Sequence, residues 1–73
     1  MAHERIEANP QIMGGKPVIR GTRIPVEMIL RKLGAGVSSE EILADYPRLT
    51  RQDIFAAQAF AADRLADEEI VYG

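Results

Sequence analysis

Between Gly14 and Pro25 the chain reads GGKPVIRGTRIP, with three glycines and two prolines in twelve residues. No helix runs through such a stretch, because proline removes a backbone donor, biases the residue before it away from helical geometry, and shares the segment with the poorest non-proline helix former. It permits short extended pieces. Val18-Ile19 and Arg23-Ile24 are fragments with β-branched residues, separated by Gly21-Thr22 and flanked by proline, a pattern that suits an edge hairpin or an extended arm. Two-stranded ribbons are marginal in water. These pieces therefore need a partner, either Ile6 in the alternating Arg5-Ile6-Glu7 that precedes the Asn9-Pro10 turn, or a second chain. Residues 1–24 read as a β arm, and residues 25–69 as three helices.

Pro25 pre-sets the φ of a first helical turn and lacks an N–H that would go unpaired there. A first helix is expected over about Pro25 to Leu33. Met28, Ile29 and Leu33 form its apolar face, Val26 lies at the edge, and Glu27, Arg31 and Lys32 face water. Gly34 and Gly36 supply left-handed backbone to end it. Ser38 followed by Glu41 fits a capping box and starts a second, short helix with Ile42, Leu43 and Tyr46 on its apolar side, which Pro47 stops. Thr50, with Asp53 in the first turn, starts the third helix, expected from about Arg51 to Glu68. One stripe there is Ile54, Ala57, Ala61 and Leu65. A second is Phe55, Ala59, Ala62 and Ala66, and Ala56 and Phe60 widen the apolar surface further. A helix apolar over most of its circumference must be covered on more than one side, and in a chain of 73 residues the second cover is expected from another subunit. The fold class is mainly α: a three-helix, helix-turn-helix-like bundle with a short N-terminal β arm or hairpin, dimeric.

Size and composition point the same way. One domain of this length buries roughly 60% of its unfolded surface. With no cysteine, disulfides and thiolate metal sites are excluded, and association remains as the staple. The single His3 reads as a tolerated surface residue near the terminus. Triads and common zinc sites lack raw material, so neither enzymatic activity nor a metal or cofactor is expected. Charges interrupt MAHERIEANP where a secretory signal needs an apolar run, and no stretch approaches the roughly 20 apolar residues of a membrane span; a cytoplasmic protein without a membrane partner is expected.

Charge is unevenly spread. Residues 1–15 hold Arg5 against Glu4 and Glu7, net −1; residues 16–37 hold Lys16, Arg20, Arg23, Arg31 and Lys32 against Glu27, net +4; residues 38–73 carry three arginines against eight carboxylates, net −5, which accounts for the whole-chain −2. A basic first half on an acidic second half points to two different partners or to self-complementary pairing. Glu40-Glu41 suits a helix start, whereas Glu68-Glu69 sits at the unfavourable end of a helix dipole, a place for fraying or for a partner contact.

The glycine-rich segment is not a phosphate loop. A Walker loop places Lys and a hydroxyl directly after its last glycine; here Lys16 precedes the run and Gly21-Thr22 lacks the Lys. A Rossmann fingerprint is absent too. As an extended arm, the segment presents Lys16, Arg20 and Arg23 to phosphates or a groove floor; the alternative is edge charge that discourages strand aggregation. The second helix, the Tyr46-Pro47-Arg48-Leu49 break and the third helix have the size and order of a helix-turn-helix, although the third helix offers Arg51 and Gln52 and little else that reads bases. The candidate DNA contacts are Lys16, Arg20, Arg23, Arg48, Thr50, Arg51 and Gln52. The candidate dimer or partner surface is Ile6, Val18, Ile19, Ile24, Phe55, Ala59, Phe60 and Ala62.

Asn9-Pro10, the run from Gly14 to Val26, Ile29-Leu30, Glu41-Ile42-Leu43, Tyr46-Pro47 with Leu49-Thr50, and Asp53-Ile54 together closely resemble the bacterial and archaeal family known as domain of unknown function 433, over about residues 5 to 65. The resemblance implies a homeodomain-type helical bundle with an N-terminal β element. It also implies a VapB-like antitoxin of a type II toxin–antitoxin module, which as a dimer binds operator DNA and sequesters a PIN-like ribonuclease toxin. The basic arm would serve the DNA, and the acidic third helix would serve the toxin. A protein-binding adaptor or dimerisation module without DNA binding is the alternative. The sequence stops at Gly73 without the long tail by which many antitoxins wrap a toxin, so inhibition is expected to use the folded domain. Two residues depart from the family pattern: Gln58 stands where an apolar residue is usual, and Phe60 where Tyr is commoner. A buried Gln58 amide would need partners, since an unpaired one costs about 1–3 kcal/mol.

Overall fold

The computed structural model describes residues 3–67; the Glu68-Glu69 pair lies outside them. The chain forms β1 (Ile6–Glu7), a 3-10 turn (Met13–Gly15), β2 (Val18–Ile19), α1 (Val26–Gly34), α2 (Ser39–Asp45) and α3 (Arg51–Ala66). The fold is mainly helical, with a two-stranded antiparallel hairpin at its start in which Ile6 faces Ile19 and Glu7 faces Val18.

The hairpin finds its partner inside the chain. Ile6, Val18 and Ile19 are buried at 7%, 0% and 2% exposure, and each side chain contributes roughly 1.5–3 kcal/mol of hydrophobic stabilisation. That burial supports strands too short to persist alone. Of the two partners expected for these strands, Ile6 of the same chain is the one found, and the apolar surface of all three residues is covered by the chain itself. Ile24 is half-buried and packs against the same core. Arg23-Ile24 forms no strand, and the returning chain meets β2 only as an isolated antiparallel bridge between Val18 and Pro25. Thr22 folds the chain back instead, its hydroxyl donating to the Ile19 carbonyl at 2.7 Å and accepting from the Ile24 N–H at 3.0 Å. The Ile19 N–H then donates to the Ile24 carbonyl at 3.0 Å.

Pro25 sits one position earlier than expected, as the residue preceding α1 rather than in its first turn. At the other end, the Gly36 N–H donates to the Leu33 carbonyl and the Val37 N–H to the Lys32 carbonyl, the paired bonds that close a helix when the residue after its cap is left-handed. Gly36 supplies that conformation at φ +90°. The Ser38 hydroxyl accepts from the Glu41 N–H; among the described residues Glu41 returns no bond, so only half of the box forms. At α3 both halves form: Thr50 Oγ1 accepts from the Asp53 N–H at 3.3 Å, and Asp53 Oδ2 accepts from the Thr50 N–H at 2.9 Å.

Ile29, Ile42, Leu49, Ile54 and Ala57 join Ile6, Ile19 and Val26 in one core. α3 enters it by a single face. Ile54 and Ala57 are buried and Ala56, Phe60 and Ala61 half-buried, while Phe55, Ala59, Ala62 and Ala66 are exposed. Gln58 is exposed as well, so its amide needs no partner.

Candidate functional site

The seven candidate DNA contacts fall in three separate places. Around the Gly21 turn, Arg20 donates to the carbonyls of Glu4 and Ile6 and lies 3.6 Å from the Glu7 carboxylate, fastening β1 to β2. Arg48, from the α2–α3 connection, donates to the Gly21 carbonyl at 2.8 Å. Arg23 makes no side-chain hydrogen bond or ion pair among the described residues. With Arg48, Thr22 and Glu7 it lines a shallow dish of about 420 Å³. Arg23 and Arg48 thus share one turn, with Arg48 already in structural use, while the Arg20 guanidinium is turned to β1.

Lys16 is not with them. It points to α1, where its Nζ lies 2.6 Å from Glu27, and Glu27 also faces Arg31 at 3.7 Å, one turn further along. The hydrogen bond and charge of Lys16, with a smaller contribution from Arg31, hold the Glu27 carboxyl below the ordinary carboxylate range. The third place is the start of α3. Arg51 lies 3.2 Å from Glu40 of α2, whose carboxyl is lowered first by its own backbone N–H and then by Arg51. Thr50 is occupied as the helix cap, and Gln52 is exposed beside it. The single basic stripe expected from Lys16, Arg20 and Arg23 does not form.

The expected partner surface divides as well. With Ile6, Val18 and Ile19 in the core, the accessible members are Phe55, Ala59 and Ala62 on the outward face of α3, with Phe55 57% exposed. Phe60 belongs to another face. It helps line an apolar groove of about 460 Å³ between α1 and α3, floored by Pro17, Val26, Leu30, Phe60, Ala61 and Leu65 and rimmed by Lys16, Glu27 and Arg64. Leu65 is 59% exposed there.

Two contacts that tie the N-terminus to α3 had no local signal in the sequence. His3 is docked rather than loose: its Nε2 lies 2.8 Å from Asp63 Oδ2, and its ring meets the edge of Phe60 with centroids 5.3 Å apart. Arg5 reaches the buried Asp53, Nη1 to Oδ1 at 3.2 Å. Their partners lie 60 and 48 residues away, beyond any spacing rule. Among the described residues no group of three His, Cys, Asp or Glu side chains is placed to hold a metal ion, and no helix is long and apolar enough to cross a membrane.

The molecule is therefore a small helical domain with an inward-packed hairpin, offering a basic turn, an apolar helix face and an apolar groove as its contact surfaces. Residues 6–61 match the family described as protein of unknown function (DUF433), and the chain belongs to that family. It is 38% identical over 73 residues to the uncharacterized protein y4eO of Sinorhizobium fredii (strain NBRC 101917 / NGR234), covering 99% of this chain and 33% of that protein. The chain thus spans about one third of the length of this curated relative. The crystal structure of a DUF433 member protein from Anabaena variabilis ATCC 29413 superposes with a TM-score of 0.80 at 35% identity, over 85% of this chain and 61% of that one.

Proposed function

We propose that this chain is the antitoxin of a toxin–antitoxin pair, a homodimer that holds a PIN-like ribonuclease through the outward face of α3. The observation that carries the reading is Phe55, an aromatic side chain 57% exposed on a helix, in line with the exposed Ala59, Ala62 and Ala66. Aromatic side chains are enriched at protein interfaces relative to the rest of the surface. The acidity of residues 38–73 suits a basic, RNA-binding partner. The test is co-expression with the neighbouring reading frame, followed by affinity capture and light scattering. Wild type should capture a ribonuclease and block its activity, and Phe55→Asp should lose capture while keeping its circular dichroism. Capture unaffected by Phe55→Asp would refute the assignment of the face.

Operator binding is the second reading, supported by Arg23 and Arg48 lining one dish at the Gly21 turn. Arg23→Glu is the informative variant, since Arg20 and Arg48 also hold the hairpin. The wild-type chain should bind operator DNA with a log–log salt slope near −0.9 per phosphate contact. Arg23→Glu should flatten that slope, and binding indifferent to salt would exclude the basic turn from the contact.

A further inference from the structure

The turn that leads from β2 to α1 is a closed ring rather than an extended arm, and that shape decides which part of a duplex it can meet. The Ile19 N–H donates to the Ile24 carbonyl at 3.0 Å, Val18 and Pro25 form an antiparallel bridge, and the Thr22 hydroxyl braces the ring between Ile19 and Ile24. Arg48, from the α2–α3 connection, adds its bond to the Gly21 carbonyl. The Arg23 side chain takes no part in these bonds. It is exposed, and it lines the dish together with Thr22, Arg48 and Glu7. Neighbouring strands lie about 5 Å apart between backbones alone. With side chains added, the ring is too broad for a minor groove about 6 Å wide, whereas the major groove, about 12 Å wide, admits a two-stranded ribbon.

Glu7 bears on what the dish takes. A carboxylate beside the arginines repels a phosphate. A base pair can use both signs: guanine presents N7 and O6 as acceptors to a guanidinium, and its cytosine presents the N4 amino group to a carboxylate. We propose that Arg23 reads a guanine in the major groove, its guanidinium donating to O6 and N7, with Glu7 accepting from N4 of the paired cytosine. This inference rests on the operator reading above and adds to it the residue that sets sequence preference, since phosphate contacts position a protein and base contacts specify the sequence. The braced ring suits the task, because a preorganised mount leaves little besides the Arg23 side chain to be ordered on binding.

The test begins with selection by the full chain from a library of duplexes with a randomised core. Retained duplexes should share a G·C pair, and its exchange for A·T should weaken binding roughly 5- to 150-fold, the range set by one bidentate base contact. Replacing the guanine with 7-deazaguanine removes N7 alone from the major groove and should reproduce part of that loss. Inosine, which lacks only the minor-groove amino group, should bind as guanine does. In Arg23→Ala, checked for wild-type circular dichroism, these duplexes should bind alike. Retained duplexes without a shared pair, or an Arg23→Ala chain that keeps the G·C preference or weakens on every duplex by one factor, would overturn the proposal while operator binding stands. Sensitivity to inosine in place of 7-deazaguanine would put the turn in the minor groove and overturn it as well. If no duplex is retained at low salt, the operator reading itself falls, and this inference with it.

Discussion

Asp53 is the side chain through which the N-terminal segment and the start of α3 depend on each other, and its removal has a calculable effect. It is 5% exposed. One carboxylate oxygen accepts from the Thr50 N–H at 2.9 Å and the other faces Arg5 at 3.2 Å. In Asp53→Ala the cap loses about 1 kcal/mol. The ion pair adds only about 0.5 kcal/mol, since half of the Arg5 side chain is in water. The sum of about 1.5 kcal/mol corresponds to roughly 6–12 °C in Tm for a domain of this size. Asp53→Asn is the sharper variant. Its shape is conserved, but its amide offers one acceptor to two donors and turns an NH₂ toward the other, so it should lose about 1 kcal/mol or more. Urea unfolding at neutral pH, followed by far-UV circular dichroism, measures both. If Asp53→Asn falls within about 0.5 kcal/mol of wild type, the range of ordinary surface substitutions, the carboxylate is not what joins the two segments.

Other expectations follow from single contacts. Gly36→Ala meets open space but must adopt φ +90°, so it should lower the urea midpoint by the equivalent of about 1 kcal/mol; an unchanged midpoint would refute the left-handed cap. Lys16→Gln should return the Glu27 carboxyl toward its ordinary range in a ¹³C NMR titration, and a titration that does not move would remove Lys16 as the cause. The sign for stability follows from the depressed value. The Glu27 contribution is complete above the ordinary carboxylate range and fades as pH falls through the lowered value, so acid unfolding of Lys16→Gln should lack this component. Arg51→Gln should do the same for the Arg51 share of the lowering at Glu40, with its own backbone N–H keeping part of the shift. Gln58→Leu, at an exposed position, should change stability by less than about 0.5 kcal/mol.

Helix limits were legible in the sequence because local chemistry sets them. Pro25, Gly36, Ser38, Pro47 and Thr50 punctuate the chain through φ restriction, left-handed geometry or a capping oxygen. Each acts within a few residues of itself, and the three helices begin and end within two residues of expectation. Long-range placement was not legible. Lys16 and Arg20 are four residues apart in a segment that reads as uniformly basic, yet one turns to α1 and the other to β1. A strand two residues long has no periodicity from which a face can be read, so nothing local separates the two directions. The docking of His3 on Asp63 depends on tertiary closure alone.

α3 shows the same limit from the other side, and it bears on whether a second subunit is needed. Six of its sixteen residues are alanine, which is apolar enough to be buried and is the strongest helix former in water. Ala57 is fully buried while Ala59 and Ala62 face solvent; helical spacing puts them on different stripes, but nothing in it says which stripe turns to the core. A helix that looks apolar all round in sequence therefore needs cover only where a large side chain stands in water. One of the reasons for expecting a dimer is met inside the chain, since Ile6, Val18 and Ile19 are buried by the chain itself. The exposed alanines are explained by helix propensity without any partner. What is left on the outward face is Phe55, which contributes nothing to this core and stands 57% exposed. The case for a partner on this face rests on that one aromatic side chain, and Phe55→Asp therefore decides it, whereas Ala59→Ser or Ala62→Ser would not.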